Sequence, residues 1–356
     1  MGYNQVTEKT ILKIKNLKVW YNTYRGSAEV VDGVNIHVGV GEKVGLVGES
    51  GCGKTTTMKT ILRLHNPTQI QIPEGEILFN NDDILKMNKK DLMDIRRKRI
   101  SMIPQEPMAA LNPVYTAGQQ LEDIIKSSGQ YPKASRKEIL ELSKKAIADV
   151  MISDSDRILK SYPYQLSGGM RQRICIAMSL VTPRDLLIAD EPGTSLDVTI
   201  QDQIHRLLRD LVEKKGRSLI MVTHSLGVVR ELADRIYVMY AGNIAETAKT
   251  KSLFAKPSHP YTIGLIQCVP RLSGGGLMVG IYGYVPDYIN PPQGCRFFSR
   301  CPDAKAVCAS KKPPMYEIEE GHYVACFNFN RTSKRLRKLN RREKFGMAVD
   351  PNKTVL

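Results

Sequence analysis

The sequence predicts an α/β fold built on a buried parallel sheet, interrupted by a helical subdomain and followed by a loop-rich region. Three observations predict it. The apolar run Val44-Gly45-Leu46-Val47 ends in Gly48, and a helical stretch follows from Lys54. Short apolar runs return at Leu186–Ala189, Ser218–Thr223 and Arg235–Tyr240, and helical stretches separate them. Strands alternating with helices bury a parallel sheet on both faces. After about Ala255 prolines and glycines crowd the chain: Pro257, Pro260, Pro270, Gly274, Gly275, Gly276, Pro286, Pro291 and Pro292.

In chain order, strands are expected at Ile11–Tyr21, Val30–Val38 and Lys43–Val47. A polar, charge-rich stretch from Asp82 to Arg99 leads to a fourth at Ile100–Ile103. Residues 117 to 160 place Leu121, Ile124, Ile125, Ile139, Leu142, Ile147 and Val150 near helical spacing. The block from about 106 to 180 is therefore read as the inserted helical subdomain. The expected division is 1–255 for the α/β domain, 256–330 for a small accessory region and 331–356 for a basic tail.

Composition narrows the function classes. The chain of 356 residues is 42% hydrophobic and 25% charged, ordinary values for a globular protein. No run approaches the ~18 apolar residues that span a bilayer. The polar N-terminus, Met1 to Thr10, has no apolar core of a secretion signal. A cytoplasmic protein is expected, with other chains supplying any membrane helices. The net charge is +16, and residues 331–356 hold nine Lys and Arg against Glu343 and Asp350. A solvated basic tail accounts for much of the excess. Contact of that tail with anionic lipid is the alternative.

Gly48-Glu49-Ser50-Gly51-Cys52-Gly53-Lys54-Thr55 fits the phosphate-binding pattern G-x-x-x-x-G-K-[ST], and Thr56 follows it. Glycines let backbone N–H groups turn inward around a phosphate, and the following helix adds its positive end. Lys54 is expected to bridge β- and γ-phosphates and Thr55 to ligate Mg²⁺. Leu186-Leu187-Ile188-Ala189-Asp190-Glu191 supplies a buried strand with two acids at its C-terminal end, where ligands bind in open α/β sheets. Alone such a pair reads as a helix cap. Beside a P-loop, Asp190 suits Mg²⁺ through water and Glu191 suits a general base.

Between these motifs stands Leu166-Ser167-Gly168-Gly169-Met170-Arg171-Gln172-Arg173. Gln105 precedes it, and Ser195-Leu196-Asp197 and His224 follow the acidic pair. In this order and spacing the motifs resemble the ATP-binding cassette (ABC) family, over roughly residues 10 to 255. The resemblance implies a P-loop NTPase cassette: a RecA-like core with an inserted helical subdomain. It implies that Gln105 senses Mg²⁺ and water, Asp197 communicates across a dimer and His224 contacts the γ-phosphate. Ser167, Gly168 and Gly169 would close over ATP held by the opposite subunit. Tyr21 would stack on adenine, with Tyr24 as its rival. Gly193, Ser195 and Ser225 stand where the family usually has Thr, Ala and Asp.

Gln105-Glu106-Pro107-Met108-Ala109-Ala110-Leu111-Asn112-Pro113, His259-Pro260-Tyr261-Thr262 and Gly294-Cys295-Arg296-Phe297 with Arg300-Cys301-Pro302 narrow the resemblance. They are similar to the ATPases of oligopeptide/dipeptide importers, of the D type, through about residue 330. Implied partners are a second, F-type ATPase or a second copy, two membrane permease subunits, and an extracytoplasmic binding protein that meets them. The resemblance implies a peptide or oligosaccharide cargo, without deciding between them, and a location at the cytoplasmic face of the membrane. A nucleic-acid-binding ABC ATPase of repair or translation fits less well, because the chain has one P-loop, one signature and no heptads. An exporter would usually fuse membrane helices to the cassette.

Seven cysteines are present, and Cys295, Cys301, Cys308 and Cys326 fall in one segment with gaps of five, six and seventeen residues. Without a secretion signal such a group reads as metal binding before disulfide. Four thiolates hold either zinc or a [4Fe–4S] cluster. The family resemblance implies iron–sulfur, with Zn²⁺ as the alternative. A staple for a loop-rich segment is the expected role. Because the P-loop lies in another domain, ATP binding is expected to be independent of it.

Overall fold

The computed structural model describes residues 9–194, 196–268 and 280–329. Ser195 and the basic tail from Arg331, with its lipid reading, lie outside the described residues. No described helix is long and apolar enough to cross a membrane.

The chain opens with β1 (Thr10–Thr23) and β2 (Gly26–Gly39), a long antiparallel pair. β3 (Lys43–Val47) runs into the glycine loop and then α1 (Lys54–Ile61). β4 (Ile70–Phe79) and the short β5 (Asp82–Asp83) return to the first sheet, giving the order β2-β1-β4-β5. The charged stretch then forms α2 (Lys89–Lys98), capped at its N-terminus by the Asn88 side chain, before β6 (Ile100–Ile103).

Five helices follow: α3 (Pro107–Ala110), α4 (Ala117–Ser127), α5 (Arg136–Asp149), α6 (Ser155–Lys160) and α7 (Gly168–Leu180). Thr116 with Gln119 and Ser135 with Glu138 form capping boxes that start α4 and α5. The chain then completes its core with β7 (Leu186–Asp190), α8 (Val198–Lys215), β8 (Ser218–Thr223), α9 (Leu226–Leu232), β9 (Arg235–Tyr240) and β10 (Asn243–Lys249). Helices α10 (Thr250–Ala255), α11 (Pro260–Gln267) and α12 (Ala306–Ser310) and the strands β11 (Tyr316–Glu319) and β12 (His322–Val324) follow.

The main sheet has the order β11-β12-β10-β9-β3-β8-β7-β6. β6, β7, β8, β3 and β9 are parallel. Their side chains alternate between two cores, as a period of two requires. Leu187, Ala189, Leu219, Met221, Ile236 and Val238 face the helices. Leu186, Ile188, Ile220, Val222, Tyr237 and Met239 pack with the antiparallel sheet. Gly45 brings β3 against α9, since a Cβ there would lie 2.9 Å from Val229 Cγ1.

The region after Ala255 departs from the expectation of a separate accessory piece. β12 pairs with β10, so the β11–β12 hairpin extends the main sheet itself. Tyr261 is wholly buried and packs with Tyr240 and Phe297, ring centroids 4.7 and 5.5 Å away. Glu246 of β10 accepts from the backbone N–H of Ser258 and His259 and pairs with the buried His322 at 2.7 Å. Burying a polar group is costly unless it is hydrogen-bonded, and the Glu246 carboxyl has these three partners.

Candidate active site

The P-loop leaves the C-terminal end of β3 and closes at Gly53, the N-cap of α1, whose φ of 101° places it in the left-handed region. Glycine is required at Gly48 for a different reason. A Cβ there would sit 2.1 Å from the carbonyl oxygen of Met239. Lys54 is folded back over the loop, its Nζ donating to the carbonyls of Gly48 at 2.9 Å and Glu49 at 3.0 Å. Thr55 Oγ1 donates to Asp190 Oδ1 at 3.0 Å, so the start of α1 meets the end of β7 across β8. Burial pushes the Asp190 carboxyl up, and the Thr55 hydroxyl pulls it back towards ionisation. This hydroxyl and carboxylate are the oxygen donors that suit a hard cation such as Mg²⁺.

Glu191 is 7% exposed and has φ 45°, a left-handed conformation that a non-glycine residue holds at a cost of about 1–3 kcal/mol. Its N–H continues the ladder to the carbonyl of Val222 at 2.8 Å. The turn aims the carboxylate inward. Lys54 Nζ lies 3.8 Å from Oε1, while Oε2 meets Gln105 Nε2 at 3.4 Å, Thr194 Oγ1 at 3.1 Å and His224 Nδ1 at 3.3 Å. Motifs separated by well over a hundred residues therefore meet on one carboxylate. Thr194 was not foreseen; only its position three residues after Glu191 could have pointed to it.

Tyr21 lies beside α1, its hydroxyl 3.4 Å from Thr56 Oγ1 and 3.2 Å from His65 Nδ1. Its rival Tyr24 is 98% exposed and points away from the protein. Ser167 caps α7, accepting from the Met170 N–H at 3.3 Å, and a Cβ on Gly168 would meet Leu196 at 3.2 Å. Asp197 caps α8 through the Thr199 N–H at 2.9 Å. The signature and Asp197 thus sit together, and Ser167 accepts from the Met170 and Arg171 N–H groups of its own helix.

Cys295, Cys301, Cys308 and Cys326 form no disulfide. Burial, with a smaller contribution from neighbouring cysteines, raises the thiols of Cys301 and Cys326 to about 12 and about 11. Cys295 is raised in the same way, and its N–H donates to the carbonyl of Cys308 at 2.8 Å. Among the described residues, however, no group of three or more His, Cys, Asp or Glu is placed to hold a metal ion. The side chains as they stand form neither the site expected for a [4Fe–4S] cluster nor its Zn²⁺ alternative.

The P-loop and the cysteine segment are also not separate, contrary to expectation. Arg300 forms a two-point ion pair with Glu49, and the Tyr261 and Tyr288 hydroxyls bond the loop backbone. No feature of the P-loop motif pointed to partners some 250 residues downstream.

Residues 31–194 match the family described as ABC transporter, and 245–308 match the oligopeptide/dipeptide transporter, C-terminal region. The chain is 45% identical to the dipeptide transport ATP-binding protein DppD of Bacillus subtilis over 89% of its length and 94% of that protein. It is 40% identical to the oligopeptide transport ATP-binding protein OppD of Salmonella typhimurium, over 89% and 93%. Among solved structures, the dimeric post-hydrolysis ATP-binding cassette MJ0796 bound to ADP and Pi matches 67% of this chain and 98% of that one. The TM-score is 0.60 and the identity 28%. Sequence, fold and site agree: the chain is an ABC ATPase and belongs to the ATP-binding subunits of the oligopeptide/dipeptide transporter family.

Proposed function

We propose that this chain hydrolyses ATP to drive a peptide importer, with Glu191 as the carboxylate that activates water. The observation that carries this reading is the convergence of Lys54, Gln105, Thr194 and His224 on Glu191, beside the Thr55–Asp190 pair. The P-loop amides of Gly48 to Thr56 and the Lys54 ammonium bind the phosphates. Thr55, Gln105 and Asp190 would hold Mg²⁺, which supplies charge neutralisation between the phosphates. Glu191 orients and deprotonates the attacking water, and His224 faces the γ-phosphate. Tyr21 takes the adenine face.

Ser167, Gly168 and Gly169 act on ATP bound by an opposing cassette, and Asp197 lies at that interface. Dimeric assembly of MJ0796 supports this arrangement. The opposing subunit is an F-type ATPase or a second copy, and two permease subunits carry the membrane helices. The chain then works at the cytoplasmic face. Relatives named for dipeptide and oligopeptide transport support peptide over oligosaccharide as cargo.

The domain division at about 255 and 330 keeps the cassette, cysteine region and tail as functional units. For the four thiols a [4Fe–4S] cluster is the better reading. A single zinc needs four sulfurs about 2.3 Å from one point, whereas a cubane spreads its ligands more widely. The influence of neighbouring cysteines on the half-buried Cys301 and Cys326 thiols supports a shared ligand set.

The test is the permease complex rebuilt in vesicles. Wild type couples peptide uptake to ATP hydrolysis, and Glu191→Gln keeps ATP binding while turnover falls by roughly 10² or more. Near wild-type hydrolysis by this variant would sink the assignment, and uptake of no peptide in the presence of the binding protein would sink the cargo.

A further inference from the structure

The segment from Cys295 to Cys301 carries two arginines whose side chains point back into the cassette. Arg296 donates to the carbonyls of Glu29 at 2.9 Å and Ala241 at 2.7 Å, tying β2 to the turn after β9. Arg300, its side chain 5% exposed, reaches the P-loop. Its Nη1 lies 2.9 Å from Glu49 Oε2 and its Nη2 3.2 Å from Glu49 Oε1. The guanidinium is fixed independently of Glu49, by the carbonyls of Tyr282 and Ile281, each at 2.9 Å, and by the Tyr240 ring 5.6 Å below it. Two more bonds brace the same loop. The Glu49 N–H donates to Tyr261 Oη at 2.9 Å, and Tyr288 Oη donates to the Gly51 carbonyl at 2.8 Å.

Glu49 is a carboxylate in a loop whose task is to receive a polyanion. Unpaired, it would oppose the triphosphate by like-charge repulsion in a partly buried place. The rigid two-point pair both neutralises it and holds the loop in one shape, which lowers the ordering cost of binding. We propose that Arg300 is a positioning residue for ATP: the cysteine segment neutralises and braces the P-loop through it, so nucleotide affinity depends on a region outside the cassette motifs. This rests on the reading of the P-loop as the ATP site.

The experiment measures ATP affinity of the full chain by equilibrium binding, and KM and kcat in the assembled complex. Arg300→Gln should weaken ATP about tenfold, with KM rising while kcat changes less. Adding Glu49→Gln to it should restore affinity to within about threefold of wild type, because the unpaired carboxylate is gone. Loss of mere structural support would instead make the double variant as weak as Arg300→Gln or weaker. That result, or an Arg300→Gln affinity within twofold of wild type, overturns the proposal. If Arg300→Gln does not fold, Arg300→Lys is compared with and without Glu49→Gln by the same criteria. Lys54→Ala separates the two readings: unchanged ATP affinity there defeats the ATP site itself, whereas a loss there with no loss on Arg300→Gln defeats only this proposal.

Discussion

Thr55 Oγ1 donates a 3.0 Å hydrogen bond to Asp190 Oδ1, joining the first turn after the P-loop to the end of a strand two positions away in the sheet. The two oxygens lie where the P-loop helix and the end of β7 face each other. A cation that binds there links nucleotide to sheet. Thr55→Ala should therefore raise the Mg²⁺ concentration needed for half-maximal ATPase by about tenfold, with a smaller effect on Mg²⁺-free nucleotide binding. A Mg²⁺ titration that superimposes on wild type would remove Thr55 from the metal site.

Lys54 is 4% exposed, and its ammonium already contacts two loop carbonyls and lies 3.8 Å from Glu191. In the proposed role the same cation would serve the phosphates when nucleotide binds. Lys54→Ala should weaken ATP by at least about tenfold, the scale of one charge-assisted contact. Equal affinities of the variant and wild type for ATP would contradict the role.

Ser167 caps its own helix and shares its surroundings with Leu196 and Asp197. Mutation of Ser167 to Arg in one subunit of a mixed complex should impair hydrolysis at the other subunit's P-loop. Single-site turnover, measured with one P-loop disabled at a time, reads this directly. Impairment confined to the mutant chain's own P-loop would exclude the head-to-tail arrangement.

The legible part of this protein was the part whose residues are fixed by local geometry. The glycines and lysine of the P-loop, the apolar run before Asp190 and Glu191, and the Ser-Gly-Gly helix start each carry their mechanism in a few consecutive positions. Strands β6, β8 and β9 follow the apolar runs read for them, and β7 follows with one residue more. β4 and β10 were not foreseen, because Pro73, Gly75 and the polar Asn243, Glu246 and Thr247 break the apolar pattern that marks a strand. The Arg300–Glu49 pair is long-range chemistry that no spacing encodes. The richness in proline and glycine after Ala255 was legible, yet it concealed a hairpin that completes the main sheet. Composition reports how regular a segment is, and edge pairing needs only a few residues.

Two buried histidines make the fold sensitive to acid. Burial depresses His259 to about 4, and its Nδ1 accepts from the Tyr261 N–H at 3.0 Å, which requires the neutral ring. Burial, with Arg235 nearby, also depresses His37 to about 4; its Nδ1 lies 3.0 Å from Tyr237 Oη. The unfolded chain takes up these protons near pH 6.5 and the folded chain near 4, so stability is complete above about 6.5 and declines from there down to about 4. Each residue contributes on the order of 3 kcal/mol across that window. Urea unfolding at pH 7.5 and 5.0 should show the lower stability at pH 5.0, with part of the difference removed in His259→Gln. A pH slope in His259→Gln equal to that of wild type would rule this histidine out as a source.

The cysteine segment is the remaining test of how the C-terminal region is held. Cys301 directly follows Arg300, and the half-buried thiols of Cys295, Cys301 and Cys326 are each raised by burial and by a neighbouring cysteine. Metal binding there would add folding free energy to a segment poor in regular structure. Anaerobically purified protein should be brown and contain about four irons and four sulfides per chain, as a four-thiolate cubane requires. Cys301→Ser should bleach it and expose residues 280–329 to protease. It should also weaken ATP binding in step with the loosening, because Arg300 would lose its anchor beside Glu49. One zinc per chain in colourless protein would reject iron–sulfur and keep the staple. A protease-resistant Cys301→Ser variant with wild-type ATP affinity would reject both the staple and its link to the P-loop.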